Sequence, residues 1–390
     1  MKIAYLSVYR DGTGYAHAAR DNILALEKMG YDVVCRPVRM EQSPPKQVCV
    51  VKHLEQKNLK NVDVVIQHCL PVTYVPLKTI RNIGIFDWET NTICKTWVDS
   101  LNQMTEVWVP SIQNQTACLN SGVTVPVKIF PHSCDIEKYN NKPNISKLEA
   151  AKDKCVFYFI GENTRRKNIA GLIRGYYAAF TNQENVLLVI KTSVPGFKPE
   201  RGMQTMRKLI LDIKKATHIH NEENKYPPIM VLVERLSDEQ LSQLHASCNV
   251  FVSTSHGEGG NIPAMDAMGY GNPVILSNWG FHPELCYVQA YRYWEPNKET
   301  FIYPGEIDCG WLVKGQLTYC FGQLNGFNDM YTGSEKWFDI CLPSFVETLK
   351  RAYLEYGNET LKERGLAAEK RIRAFSHENV GIILKGLLND

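Results

Sequence analysis

The sequence has no apolar run approaching the roughly 18 residues that a membrane-spanning helix needs. It has no pair of cysteines at metal or redox spacing: the twelve are scattered singly from Cys35 to Cys341. That excludes a CxxC site, and the expectation is buried, reduced thiols in a reducing compartment. Even His68-Cys69 stands without a second cluster. Net charge is also nearly lacking, at +3, so composition gives no argument for nucleic acid or an anionic membrane. Internal repeats and low-complexity tracts are missing too. The opening MKIAYLSVYRDG reads as a short buried strand, not as the longer apolar core and small-residue cleavage site of a secretory signal. A cytoplasmic chain is expected, with peripheral membrane contact left open.

What is present is ordinary globular material: 390 residues, 44% hydrophobic and 22% charged. That length suits two domains better than one core. Short β-branched runs alternate with amphipathic stretches, the pattern of α/β units with parallel strands. One series runs from Lys2–Val8 to Val127–Phe130. A second runs from Cys155–Ile160 to Pro273–Leu276. The polar stretch CDIEKYNNKPNISKLEAAKD between them is the expected linker. Residues 286–334 show no regular period and read as an irregular insertion near the cleft. Helical patterns close the chain at Pro343–Tyr356 and Glu359–Leu388. Two doubly wound units in tandem imply two Rossmann-like domains facing each other across a cleft. Ligands in such units sit beyond the carboxyl ends of the strands.

The strongest motif is VFVSTSHGEGGNIPAMDAMGYGNPVILSNWG. A buried strand runs into the glycine-rich loop His256-Gly257-Glu258-Gly259-Gly260, Asn261 and Ile262 follow, and Pro263 suits a first helical turn. A helix amino end with glycines before it favours a phosphate. Glu258 in the loop is placed to meet sugar hydroxyls, and Asp266, about one turn into the helix, ribose hydroxyls. The second motif is Arg165-Arg166-Lys167 after strand Cys155–Ile160. Three cations before a helix oppose its dipole, which argues for an anionic ligand there. In the first half, Gly12, Gly14 and Tyr15 follow the first strand. His68 ends another strand, and Glu89 is a candidate acceptor-side carboxylate. Each of these three features also has a plain structural reading, as a turn, a satisfied core histidine or a packing residue.

Glu258 and Asp266, separated by seven residues and followed by A-M-x-x-G-x-P-V-I, resemble the E-x7-E signature of glycosyltransferase family 4. Asp266 departs from it, since the family usually has Glu there. The Gly161–Lys167 segment is similar to the family's G-R-x5-K region, with Glu162 at the usual Arg position and the loop one residue shorter. Trp88-Glu89, Trp97, Trp108–Ser111, Ser121–Val123, Pro126-Val127, Pro131-His132 and Asp135 extend the resemblance through the first half.

The resemblance implies a GT-B architecture and retaining transfer from a nucleoside diphosphate sugar, with UDP-sugar the first assignment and GDP-mannose the second. It implies an acceptor-binding domain over 1–145 and a donor-binding domain over 146–345. Helices over 346–390 follow, the last crossing back. Arg166, Lys167, Glu258 and His68 are then catalytic. Gly12, Gly14, Arg165, Gly257, Gly259, Gly260, Asn261, Ile262 and Asp266 bind donor, and Tyr15 and Glu89 lie on the acceptor side. No metal and no further cofactor is implied, because fixed cations replace the metal of Asp-x-Asp enzymes, a motif missing from this sequence. The acceptor stays open among glycan, lipid-linked glycan, protein and modified nucleic-acid base. A non-catalytic nucleotide-sugar-binding module, a sugar-nucleotide epimerase and a phosphorylase-like enzyme using pyridoxal phosphate are the alternatives.

Overall fold

The computed structural model describes residues 1–39, 49–143, 149–287, 306–321 and 330–390. The first sheet is parallel and contains β1 (Lys2–Ser7), β2 (Asp32–Pro37), β3 (Val64–His68), β4 (Arg81–Ile85), β5 (Glu106–Val109) and β6 (Val127–Ile129), in the order β2-β1-β3-β4-β5-β6. The second contains β7 (Cys155–Ile160), β8 (Val186–Lys191), β9 (Ile229–Leu232), β10 (Val250–Ser253), β11 (Val274–Ser277), β12 (Glu306–Ile307) and β13 (Gly310–Val313). Its order is β12-β13-β11-β10-β7-β8-β9, and only β12 is antiparallel. Alternate residues of each strand feed opposite faces. Phe157 and Val252 enter one apolar cluster, Tyr158 and Phe251 the other. Both faces are therefore buried, as parallel sheets require.

Strand order decides where a ligand fits. It reverses between β1 and β3 in the first sheet and between β7 and β10 in the second. At such a switch point, loops leave the strand ends in opposite directions and a crevice opens. The β7 end leads through Arg165–Lys167 to α4 (Ile169–Ala179), and the β10 end leads through the glycine-rich loop to α7 (Ile262–Gly269). The two strongest sequence motifs thus flank one crevice. In the first sheet, α1 (Gly14–Lys28) follows β1, and His68 is the last residue of β3.

Two expectations need correction. The Glu359–Leu388 pattern is two helices, α10 (Glu359–Ile372) and α11 (His377–Asn389), with the turn Arg373–Phe375 between them. Ser376 caps the second by accepting from the Asn379 amide. Residues 286–334 are more regular than expected. Their described parts supply β12, β13 and β14 (Gly315–Tyr319), which pairs with β15 (Lys336–Ile340). β12 is two residues long, and β14, GQLTY, lacks the apolar run that marks the other strands. Residues 288–305 and 322–329 lie outside the described residues. The polar 134–153 stretch, the expected linker, is partly packed. Cys134, Tyr139 and Ala151 are buried in a core cluster of the second sheet, and 144–148 lie outside the described residues.

Helix α11 packs on the first sheet. Val380, Leu384 and Leu388 join Ile3, Tyr5 and Ile23 in one cluster. Arg81 donates to the carbonyls of Leu387 and Leu388, neutralising the helix carboxyl end. All twelve cysteines are thiols and ten are buried. No described helix is long and apolar enough to cross a membrane.

Candidate active site

The two halves meet over a short segment, Asp87–Asn91, that follows β4. Trp279 donates from its indole to the Glu89 carbonyl at 2.9 Å. The Asn91 amide donates to the Lys336 carbonyl, and the Lys336 amide to the Asn91 side chain. The glycine-rich loop lies flat against this segment. A Cβ on Gly257 would strike Glu89, one on Gly259 would strike Asp87, and one on Gly260 would come within 2.9 Å of the His132 ring. The glycines expected to admit a ligand admit the other half of the chain here. Sequence cannot separate those demands, since both need a backbone without a side chain.

Under the loop lies a buried charge cluster. Lys167 Nζ donates to both Glu258 oxygens, at 2.7 and 2.9 Å. Arg166 donates to Glu258 Oε2 at 3.1 Å and to the Gly257 carbonyl at 2.7 Å, and its Nε lies 3.4 Å from Glu89 Oε1. Tyr331 donates to Glu89 Oε2 at 3.2 Å. Two cations and two carboxylates therefore balance. Burial would push the Glu258 carboxyl up, but Lys167 and Arg166 outweigh it and hold the group at about 2. Glu89 goes the other way. Burial raises its pKa, opposed by Arg166 and reinforced by Glu258 and Asp87. Burial likewise lowers the Lys167 pKa, against the pull of Glu258.

A second group faces the loop from the first sheet. His68 is fully buried; its Nδ1 is 2.9 Å from the Tyr5 hydroxyl and its Nε2 has no partner among the described residues. Its ring stacks on His132 at 5.7 Å, and the Tyr15 ring lies 4.9 Å away. His132 Nε2 is 2.8 Å from Asp87 Oδ1. Burial and the facing His132 hold the His68 pKa down at about 3, despite Asp87; the ring is neutral. The donor atoms of His68, Asp87 and His132 lie within 4.8 Å of one another, a spacing open to a metal ion. The His132–Asp87 hydrogen bond already occupies two of the three.

Arg166, Lys167, Glu258, Glu89, Gly257, Gly259 and Gly260 are thus brought together, with His68 and Tyr15 beside them. Asn261 takes a left-handed φ of 49° and bonds His282 at 2.7 Å, and Ile262 begins α7. Asp266 does not face an open ribose site. It accepts from the Tyr139 hydroxyl at 2.8 Å and lies 2.6 Å from Lys138 Nζ. Gly14 starts α1 with open space around its missing Cβ, so no steric need explains it, while Gly12 lies in the turn before it. Arg165 leaves its neighbours: its guanidinium lies 5.9 Å from the Trp337 ring, away from Glu258. The sequence reading missed Asp87 as a site residue and took His132 for packing. The signal available was their position just past the ends of β4 and β6.

Residues 140–298 match the family model described as glycosyl transferases group 1. No curated protein matches the chain. Among solved structures, Anabaena Alr3699/HepE in complex with UDP and glucose is 15% identical, with 100% of this chain and 99% of that chain covered, at a TM-score of 0.60. Sucrose-phosphate synthase from Thermosynechococcus elongatus is 14% identical, with 100% and 98% covered, at 0.62. An E. coli structure described as trehalose-6-phosphate bound with UDP-2-fluoro glucose is 10% identical, with 100% and 99% covered, at 0.63. At such identities the likeness establishes the fold. The chain thus has a GT-B fold, and its residues 140–298 are similar to the group 1 glycosyltransferases (family 4).

Proposed function

We propose that the chain moves a sugar from a nucleoside diphosphate sugar to an acceptor hydroxyl, with retention at the anomeric carbon and without a metal ion. One observation carries the reading: Arg166, Lys167 and Glu258 converge at the switch point of the second sheet, beside the amino end of α7. A diphosphate entering there exchanges with the carboxylates of Glu258 and Glu89. Like charge replaces like, so the buried cations stay neutralised. As the sugar–phosphate bond breaks, the leaving diphosphate gains negative charge, and Arg166 and Lys167 stabilise it in place. A phosphate oxygen takes the acceptor proton, so no protein base is required. Released from Lys167, Glu258 meets donor-sugar hydroxyls, and the unpartnered His68 Nε2 accepts from another.

UDP-sugar is the favoured donor, because structures of this fold are described with UDP, UDP-glucose and UDP-2-fluoro glucose; GDP-mannose is second. Asp266 serves ribose if a ribose hydroxyl replaces that of Tyr139. Gly257, Gly259, Gly260, Asn261 and Ile262 bring the α7 amino end to the diphosphate, and Gly12 and Gly14 line the facing side. Residues 1–145, with Tyr15 and Glu89, take the acceptor; 146–345 take the donor; 346–390 brace both. Closure of the halves around Asp87–Asn91 excludes water from the reacting centre.

The test is a thermal-shift panel of UDP- and GDP-sugars, followed by product detection with acceptor mixtures of glycans, lipid-linked glycans, protein and modified nucleic-acid bases. A UDP-sugar should raise the melting temperature most, and Lys167→Ala should abolish the rise. If no sugar nucleotide shifts the protein, the reading fails.

A further inference from the structure

The run Arg165-Arg166-Lys167 is divided between two places. Arg166 and Lys167 turn to Glu258. Arg165 turns to the opposite side of the loop, where a separate cavity of about 500 Å³ lies between α4, α5 (Pro199–Thr217) and the β14–β15 hairpin. The backbone of Arg166 and His256 forms the wall between the two, joined by the hydrogen bond from the His256 amide to the Arg166 carbonyl at 2.8 Å. Cavities of this size hold small organic ligands.

We propose that this cavity is a second binding site, one that takes a small sugar bearing a phosphate or carboxylate group. Arg165 and Arg174 both line it, and neither guanidinium makes an ion pair or hydrogen bond among the described residues. Two guanidinium forks with unspent donors match phosphate or carboxylate oxygens. The one carboxylate on the lining is Asp339, whose Oδ1 lies 3.7 Å from His256 Nδ1. The positive charge therefore exceeds the negative. The rest of the lining suits hydroxyls. Thr164, Thr205 and Thr318 supply hydroxyl groups, and the half-exposed Tyr319 adds a phenol. His256 is held rigidly: its ring stacks on Trp337 at 4.4 Å and its Nδ1 donates to the Phe338 carbonyl at 2.6 Å. That bond leaves Nε2 as an acceptor for a sugar hydroxyl.

The site does not depend on the donor reading. Its floor includes Thr318, Tyr319, Trp337 and Asp339, beyond the 140–298 stretch that matches the family.

Calorimetric titration of the full chain with glucose 6-phosphate, glucose and inorganic phosphate tests the proposal, with UDP-glucose titrated separately. Glucose 6-phosphate should bind at least tenfold more tightly than glucose or inorganic phosphate alone, and more weakly as salt rises. Arg174→Ala, at an exposed position, should weaken it at least tenfold. Thr205→Trp, which fills the cavity without changing charge, should abolish it. UDP-glucose affinity should stay the same in Arg174→Ala. Failure of the wild type to bind glucose 6-phosphate overturns the proposal. So does equal binding by both variants, or inorganic phosphate binding as tightly as the sugar phosphate. Binding of UDP-glucose without glucose 6-phosphate overturns this site alone, and the reverse result overturns only the donor reading.

Discussion

Replacing Lys167 by methionine keeps most of the side-chain length and removes the charge that holds Glu258. Glu258 is 4% exposed and accepts from Lys167 on both oxygens, with Arg166 left at 3.1 Å. Breaking a buried ion pair by removing one partner costs about 3–5 kcal/mol. The remaining Arg166 contact brings the expected loss to about 2–3 kcal/mol. The pH dependence supplies an independent check. In the wild type the Glu258 carboxyl lies at about 2, below the unfolded value near 4.5. Its contribution is fully present above about pH 4.5 and is lost as pH falls toward 2. At about 1.4 kcal/mol per pH unit, that contribution is at most about 3–4 kcal/mol. Lys167→Met should flatten this acid limb in urea unfolding measured from pH 2 to 7. Adding Glu258→Gln removes the stranded carboxylate and should recover at least half the lost stability. The double variant should still bind UDP-glucose at least tenfold more weakly than the wild type. A single variant within about 0.5 kcal/mol of wild type, with an unchanged acid limb, would refute the buried cluster. A double variant that binds donor normally would refute the role of the cation.

Glu284 gives the opposite pH signature. Its carboxylate accepts from the Ile112 amide at 2.7 Å, and burial pushes it up to about 7. The folded state then holds a proton that the unfolded state releases near 4.5, so its contribution falls as pH rises from about 4.5 to 7. Glu284→Gln should stabilise the protein by about 1–3 kcal/mol at pH 8 and by almost nothing at pH 4; equal effects at both pH values would refute the assignment. Gly259→Leu places a branched side chain against Asp87. It should cost at least about 1–3 kcal/mol and widen the two-domain particle in small-angle scattering; an unchanged radius would contradict the contact. Leu384→Ala, at a fully buried position of α11, should cost about 2–5 kcal/mol and raise hydrogen exchange in the first sheet. Chelation with EDTA should leave sugar transfer unchanged. Loss of transfer, restored by a divalent metal, would move the chemistry to His68, Asp87 and His132.

The sequence by itself determined the strands and the order of the motifs. Parallel strands buried on both faces are apolar throughout, so Cys155–Ile160 and Val250–Ser253 are legible as they stand. Loop chemistry at the strand ends is local too, so Lys167 and Glu258 were legible as a cation and a carboxylate beside one crevice. Only the tertiary structure decided what those groups touch. Glu89 and Glu258 are 169 positions apart, and no local pattern says that Arg166 bridges them. The same holds for Asp266, turned to Lys138 and Tyr139, and for Arg165, turned away from its own neighbours. Side-chain direction is set by packing between distant segments, and a linear pattern carries no record of which segments pack.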